Sequence, residues 1–215
     1  MAEQSFRERV AQTAIDQVKI YQEVYMKFDY LLCSKAFLKC GYFILAAEAT
    51  NYRHLIGVNT TISAEDFFLK CTSGSLTEND FDFCKKGQSE KSVKGSVREK
   101  ITALPAFLAM MDEPLMAQEG LVKNRVRCSF ATADKRATVG FIDTGKARPM
   151  TLLRGDKLDS NVSAPVDLIL RRPRGEKYFS EIVRGGSREI SEYYDKIEPL
   201  LDETLKALNQ EPTVV

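Results

Sequence analysis

The sequence predicts an α+β fold: a twisted, mostly antiparallel sheet packed against helices, with helical extensions at both ends. Apolar residues recur at three- and four-residue spacing near each terminus, the period of an amphipathic helix. Beyond Lys123 the period switches to two, the signature of half-buried strands. Between those strands lie short Gly-, Asp- and Lys-containing turns, which suit hairpin connections. A chain of 215 residues suits one large domain with extensions. The expected division is an N-terminal helix over 1–27, a domain over 28–184, and an acidic C-terminal helix and tail over 185–215.

The first helix is predicted over 5–27, where Phe6, Val10, Ala14, Val18 and Tyr21 share one stripe. Apolar runs at 28–37 and 41–47 flank a turn at Lys39-Cys40-Gly41 and read as strands. Residues 50–58 continue extended, which places Tyr52, His54, Ile56 and Val58 on one face. Ser63 is an N-cap for a helix over 64–71 with acids in its first turn, ended by Gly74. A short helical piece begins near Thr77. A longer one runs over 89–110 with Val93, Val97, Ile101, Leu104 and Leu108 at helical spacing, and Pro105 predicts a break or kink.

Five strands are expected in the second half, over 125–130, 137–143, 150–153, 166–170 and 178–183. In the first, Val126, Cys128 and Phe130 face the core, while Arg125, Arg127 and Ser129 face away. Gly185-Gly186-Ser187 closes the sheet, with Ser187 as N-cap of a final helix over 188–209 that Pro199 divides. Its stripe of Ile190, Ile197, Leu201 and Leu205 predicts ordinary packing, with shielding of the basic sheet as the alternative.

Composition narrows the function classes. The longest apolar stretch, 42–47, is too short to span a bilayer, and the charged N-terminus carries no secretory pattern, so a cytoplasmic protein is expected. Five cysteines without a C-x-x-C pair predict buried, reduced thiols. One histidine, with no cysteine pair at ligand spacing, argues against zinc, and no cofactor or metal is expected.

The formal net charge of +1 hides an asymmetry. From Lys123 to Lys177 there are thirteen Lys/Arg against six Asp/Glu, whereas from Arg188 onward there are three against seven. Arginine leads the basic segment, and its planar fork binds phosphate bidentately. Solvated strand faces and protected sheet edges would also use such charges. Arg171-Arg172-Pro173-Arg174-Gly175 is the most specific part, since a hairpin does not require three arginines at a sheet rim. The candidate RNA-binding residues are Arg125, Lys135, Arg136, Arg154, Arg171, Arg172, Arg174 and Lys177.

Any imidazole chemistry runs through His54, whose ordinary pKa suits a general base or acid. In attack of a ribose 2′-hydroxyl on the adjacent phosphate, His54 moves a proton, Arg127 stabilises the phosphorane, and Ser129 orients a phosphate oxygen. Tyr178 and Phe141 are the aromatics that could stack on unpaired bases. The plainer alternative for His54 is a buried ring bonded to a backbone carbonyl.

Residues 52–58 (YRHLIGV), the helix over 64–71, the basic helix that follows and the Pro149-Met150-Thr151-Leu152-Leu153 strand together resemble a known group. It is the fourth phage-linked family of Barnase–EndoU–Colicin–RelE-like nucleases, with the similarity spanning about Phe28 to Val183. Its H-L-x-G element lands on His54, Leu55 and Gly57. The resemblance implies helices packed on a sheet of at least four strands, and a metal-independent endoribonuclease used as a toxin among phage, plasmid and host. The single histidine excludes a two-histidine mechanism of the EndoU kind. Relatives lacking the pair lean on Arg, Lys and Tyr, which points to Arg127, Lys135, Arg154 and Tyr178. Expected partners are RNA and a protein antitoxin or inhibitor, with a homo-oligomer through the terminal helices as an option and no membrane. A catalytically inactive RNA- or protein-binding module of the same fold, with a regulatory or defence role, is the alternative.

Overall fold

The computed structural model describes residues 4–123 and 126–209. Helix α1 (Phe6–Tyr21) starts at a capping box: Ser5 Oγ accepts from the Glu8 amide at 3.1 Å, and Glu8 accepts from the Ser5 amide at 2.6 Å. Its buried side is the predicted stripe of Val10, Ala14, Val18 and Tyr21. One wider π turn (Gln22–Met26) leads into strand β1 (Phe28–Ser34), and β2 (Tyr42–Leu45) returns antiparallel to it.

Residues 50–58 depart from the expected extended form. They fold as helix α2 (Ala49–Ile56), begun by Asn51 Oδ1 accepting from the Glu48 amide and ended by Gly57 at φ +85°. The buried residues Tyr52, Leu55 and Ile56 fit a helical stripe as well as Tyr52, His54 and Ile56 fit a strand face. Over so short a run the two periods are not separable. His54 therefore sits in the last turn of a helix, and not on a strand opposite the basic sheet.

Helix α3 (Ala64–Thr72) begins at Ser63 as expected, with Ser63 Oγ accepting from the Asp66 amide. Short strands β3 (Asn59–Thr60) and β4 (Phe81–Asp82) flank it and pair with each other. The piece near Thr77 is a turn and not a helix, because Asp80 accepts both the Thr77 amide and hydroxyl at 2.8 and 2.9 Å. Helix α4 (Glu90–Leu108) is not broken at Pro105 and continues for three residues more. Proline so near the C-terminus removes only one ladder bond.

Strand β5 (Met116–Lys123) precedes the alternating region; Gly120 and the polar Gln118-Glu119 obscure its period in the sequence. Then come β6 (Val126–Ala133), β7 (Ala137–Asp143), β8 (Ala147–Arg154), β9 (Ala164–Pro173) and β10 (Glu181–Arg184). Helices α5 (Ser187–Ile197) and α6 (Glu203–Leu208) end the described chain, divided at Pro199 as predicted. Gly186 rather than Ser187 occupies the N-cap of α5.

The main sheet is not open. Its order is β1-β2-β8-β7-β6-β5-β9, and β9 pairs again with β1, so seven strands close into a barrel with β10 appended to β9. The β2–β8 pairing is parallel and the others in the barrel are antiparallel. Phe43 of β2 stacks on Phe130 of β6 at 4.3 Å, and Phe130 stacks on Phe141 of β7 at 4.6 Å. Two strands separate β2 from β6, so this ring stack crosses the barrel interior. The alternation of a strand is the same in open and closed sheets, which is why closure was not legible.

Helices α2 and α4 lie on β8, and α4 also lies on β7. On the other side, Ile190, Tyr193, Ile197, Leu201 and Leu205 pack with Leu31, Cys33, Leu168 and Leu170, which places α5 and α6 against β1 and β9. The acidic C-terminal helix thus uses its apolar stripe for ordinary packing. All five cysteines are free; Cys33, Cys71 and Cys128 are buried as expected, whereas Cys84 is exposed. Among the described residues, no helix is long and apolar enough to cross a membrane.

Candidate active site

The last turn of α2 gathers positive charge. Lys100, from α4, donates to the His54 carbonyl at 2.5 Å, and Lys85 donates to the Gly57 carbonyl at 2.8 Å. These are carbonyls that a helix end leaves without intrahelical partners, at the negative pole of its dipole. Arg53 joins them, reaching Thr60 Oγ1 at 3.3 Å while its Nε stays sealed without an acceptor. Among the described residues, no carboxylate lies within ion-pair distance of Arg53, Lys85 or Lys100.

Gly57 explains why the lysine can approach so closely. A Cβ there would stand 2.4 Å from Lys100 Cδ, and the residue's φ of +85° is one that side chains disfavour. Leu55 is fully buried and anchors the turn in the core. The His-Leu-x-Gly spacing therefore describes one local device: a carbonyl that receives Lys100, a core anchor, and a gap for the lysine stem.

Burial, and then the crowding of cations, shift the titration of His54, Lys100 and Lys85. Burial first, then the charges of Arg53, Lys100 and Lys85, lower His54 below its ordinary 6.5. Burial, followed by Lys85, pushes Lys100 down to about 7. Burial and then Arg53 lower Lys85 as well. A histidine that is neutral at neutral pH beside a lysine that titrates there is a pair fit for moving protons in both directions.

The other expected residues lie elsewhere. Arg127 is exposed on β6, and Ser129 on the same strand uses its hydroxyl to accept the Asp143 amide at 3.0 Å. Tyr178 stands outside β9, 39% exposed, with Lys177 Nζ at 4.7 Å from its ring centre and Lys206 beyond. Helix α2 and strand β6 are separated by β8 and β7, so the structure does not gather His54, Arg127, Ser129 and Tyr178 into one group. Arg125 lies outside the described residues.

The arginine-rich rim is largely committed inward. Arg172 is only 7% exposed; it lies 3.2 Å from the buried Asp29 carboxylate and covers the Phe179 ring. Lys146 and Arg174 reach that carboxylate at 2.8 and 3.6 Å. Arg171 pairs with Glu181 at 2.6 Å and lies over Phe28. By contrast, Lys135, Arg136 and Arg154 come together at one hollow of about 480 Å³ beside Thr102 and Pro105 of α4. Another hollow, of about 580 Å³, lies across α1 and is lined by Glu8 and Glu78 without a cation.

Lys100 escaped the sequence reading, although a signal existed. It occupies the position between Val97 and Leu104 on the apolar stripe of α4, where a lysine is out of place unless its amine has a partner. Lys85, on a loop, carried no such mark. Among the described residues, no three His, Cys, Asp or Glu side chains converge as metal ligands do.

The sequence profile described as phage-Barnase-EndoU-ColicinE5/D-RelE like nuclease4 matches residues 15–125. The match begins inside α1 and ends just after β5, so it holds Arg53, His54, Gly57, Lys85 and Lys100 and omits β6 to β10. It is shifted N-terminally from the expected span of 28 to 183. No curated protein and no solved structure matches the chain. More than half the chain carries the profile, and the protein belongs to this nuclease family.

Proposed function

We propose that the protein is an endoribonuclease whose chemistry needs no metal and runs at the end of α2. The observation that carries this is the cluster of Arg53, His54, Lys85 and Lys100 around Gly57, positively charged and, among the described residues, free of carboxylates at ion-pair distance. Neutral His54 takes the proton of a ribose 2′-hydroxyl as its oxygen bonds to phosphorus. Lys100, still protonated, gives a proton to the departing 5′-oxygen as that P–O bond breaks. Arg53 and Lys85 supply charge for the phosphorane between those steps. The products are a 2′,3′-cyclic phosphate and a free 5′-hydroxyl. DNA lacks the 2′-hydroxyl, so this route selects RNA.

The phage link in the family's description supports deployment as a toxin in conflict between phage, plasmid and host, with an inhibitor protein as partner. The deciding experiment is incubation of the purified protein with total RNA and a chelator, followed by mapping of the cut ends. Cyclic phosphate ends support the proposal. Salt-sensitive RNA binding with no cleavage at any pH would replace it with a catalytically silent binding module.

A further inference from the structure

Four shallow hollows run end to end along α4. The first lies at its N-terminal approach, with Lys85, Lys86 and Glu90. The second shares Glu90 and adds Lys91, Lys94 and Arg98. A third shares Arg98 and adds Arg9 of α1 and Thr102. The last shares Thr102 and holds Lys135, Arg136 and Arg154. Nine basic side chains line the series against one acidic, Glu90. Carboxylates beside it partly neutralise Lys94, Arg136 and Arg154.

The middle of the series is built. Phe6 and Phe83 stack at 5.3 Å, and Arg9 and Arg98 lie over Phe6 at 5.2 and 5.0 Å while Lys94 lies over Phe83 at 5.5 Å. Ring faces give Arg9 and Arg98 a fixed place without a carboxylate partner, whereas Lys94 also pairs with Glu90. No ion pair of Arg9 or Arg98 is present among the described residues.

We infer that this series is the path of a single RNA strand, bound through its phosphates and entering the α2 cluster at Lys85. Lys85 belongs to both: it lines the first hollow and donates to the Gly57 carbonyl. From Glu90 to Pro105 the helix rises about 23 Å, room for about seven phosphates at the ~3.4 Å rise of a stacked strand. The basic sheet rim of Arg171, Arg172 and Arg174 is not on this path. Phosphate contacts without base-reading groups make binding sequence-tolerant and strongly salt-dependent. The placement rests on the nuclease function proposed above.

The test is the anisotropy of a labelled oligoribonucleotide made uncleavable by 2′-O-methylation, titrated at several salt concentrations. Lys91→Glu with Arg98→Glu weakens binding and lowers the salt slope by about 1.4, two contacts at about 0.7 each. Lys91→Gln with Arg98→Gln gives the same slope change without introducing negative charge, which guards against misfolding. Lys35→Glu with Lys39→Glu, on the β1–β2 turn, matches the change in net charge and leaves the slope as it was. Unchanged affinity and slope in both α4 pairs overturn the path, as does failure of the native protein to bind. If those pairs bind normally while His54→Ala abolishes cleavage, the path fails and the nuclease stands. If binding follows the α4 charges but nothing is cleaved, the path stands and the nuclease fails.

Discussion

Lys100 Nζ donates to the His54 carbonyl at 2.5 Å, so a lysine from α4 is fastened to the turn that carries the chain's single histidine. Two helices distant in sequence meet there, and the charge of Lys100 helps burial to lower the titration of His54.

Loss of either proton carrier should cost activity and not fold. His54→Ala and Lys100→Met are each expected to lower kcat for RNA cleavage by about 10²–10⁴-fold. Unfolding midpoints measured alongside separate the two causes. Cleavage that survives His54→Ala at the native rate would falsify its role.

The pH profile of kcat/KM should be a bell. Its acid limb reports loss of neutral His54 as pH falls through a value below 6.5, and its alkaline limb reports loss of the Lys100 proton as pH rises through about 7. In Lys100→Arg the alkaline limb should move out of the accessible range. A limb that stays in place assigns it to another group.

Stability should carry the same signature with a defined sign. Lys100 titrates at 10.5 when unfolded and at about 7 when folded, so in that window the unfolded chain binds the extra proton. Stability from this group therefore rises with pH from about 7 towards 10.5 and is fully lost below. The difference in Tm between native protein and Lys100→Met should shift in that direction across the window. A difference independent of pH would show that Lys100 is not perturbed.

Gly57→Ala should destabilise by about 1–3 kcal/mol, since a left-handed residue and a crowded Lys100 stem both cost energy. Shortening Lys100 to Ala relieves the crowding alone. The double variant is expected to fall short of the summed losses by about 0.5–3 kcal/mol, measured by urea unfolding. Simple additivity would mean that the lysine stem does not press on position 57.

Asp29→Asn leaves Lys146, Arg172 and Arg174 around a neutral group in a site where Asp29 is 1% exposed. The expected loss is about 3–5 kcal/mol, the range for breaking a buried pair from one side. RNA affinity should change little, because this cluster braces β1 against β9. A larger effect on binding than on stability would reverse that assignment.

The sequence by itself determined the amphipathic helices at 5–27, 64–71 and 188–209, and most strands after Lys123, because those elements are long or carry their own caps. It also singled out His54 and the His-Leu-x-Gly spacing. The conformation of 50–58 was beyond it: so short a run satisfies both periods, and only packing of Tyr52, Leu55 and Ile56 under α1, α3 and α4 selects the helix. Closure of the barrel depended on β9 meeting β1, a pairing of residues more than a hundred apart that leaves no mark on either strand's alternation. The site was half legible for the same reason. His54 and Gly57 are neighbours in the chain, but Lys85 and Lys100 reach them only across the fold, and the arginines that looked free in the sequence are turned onto Asp29 by it. Local spacing is written in the chain, whereas the company each charge keeps is a property of the tertiary structure.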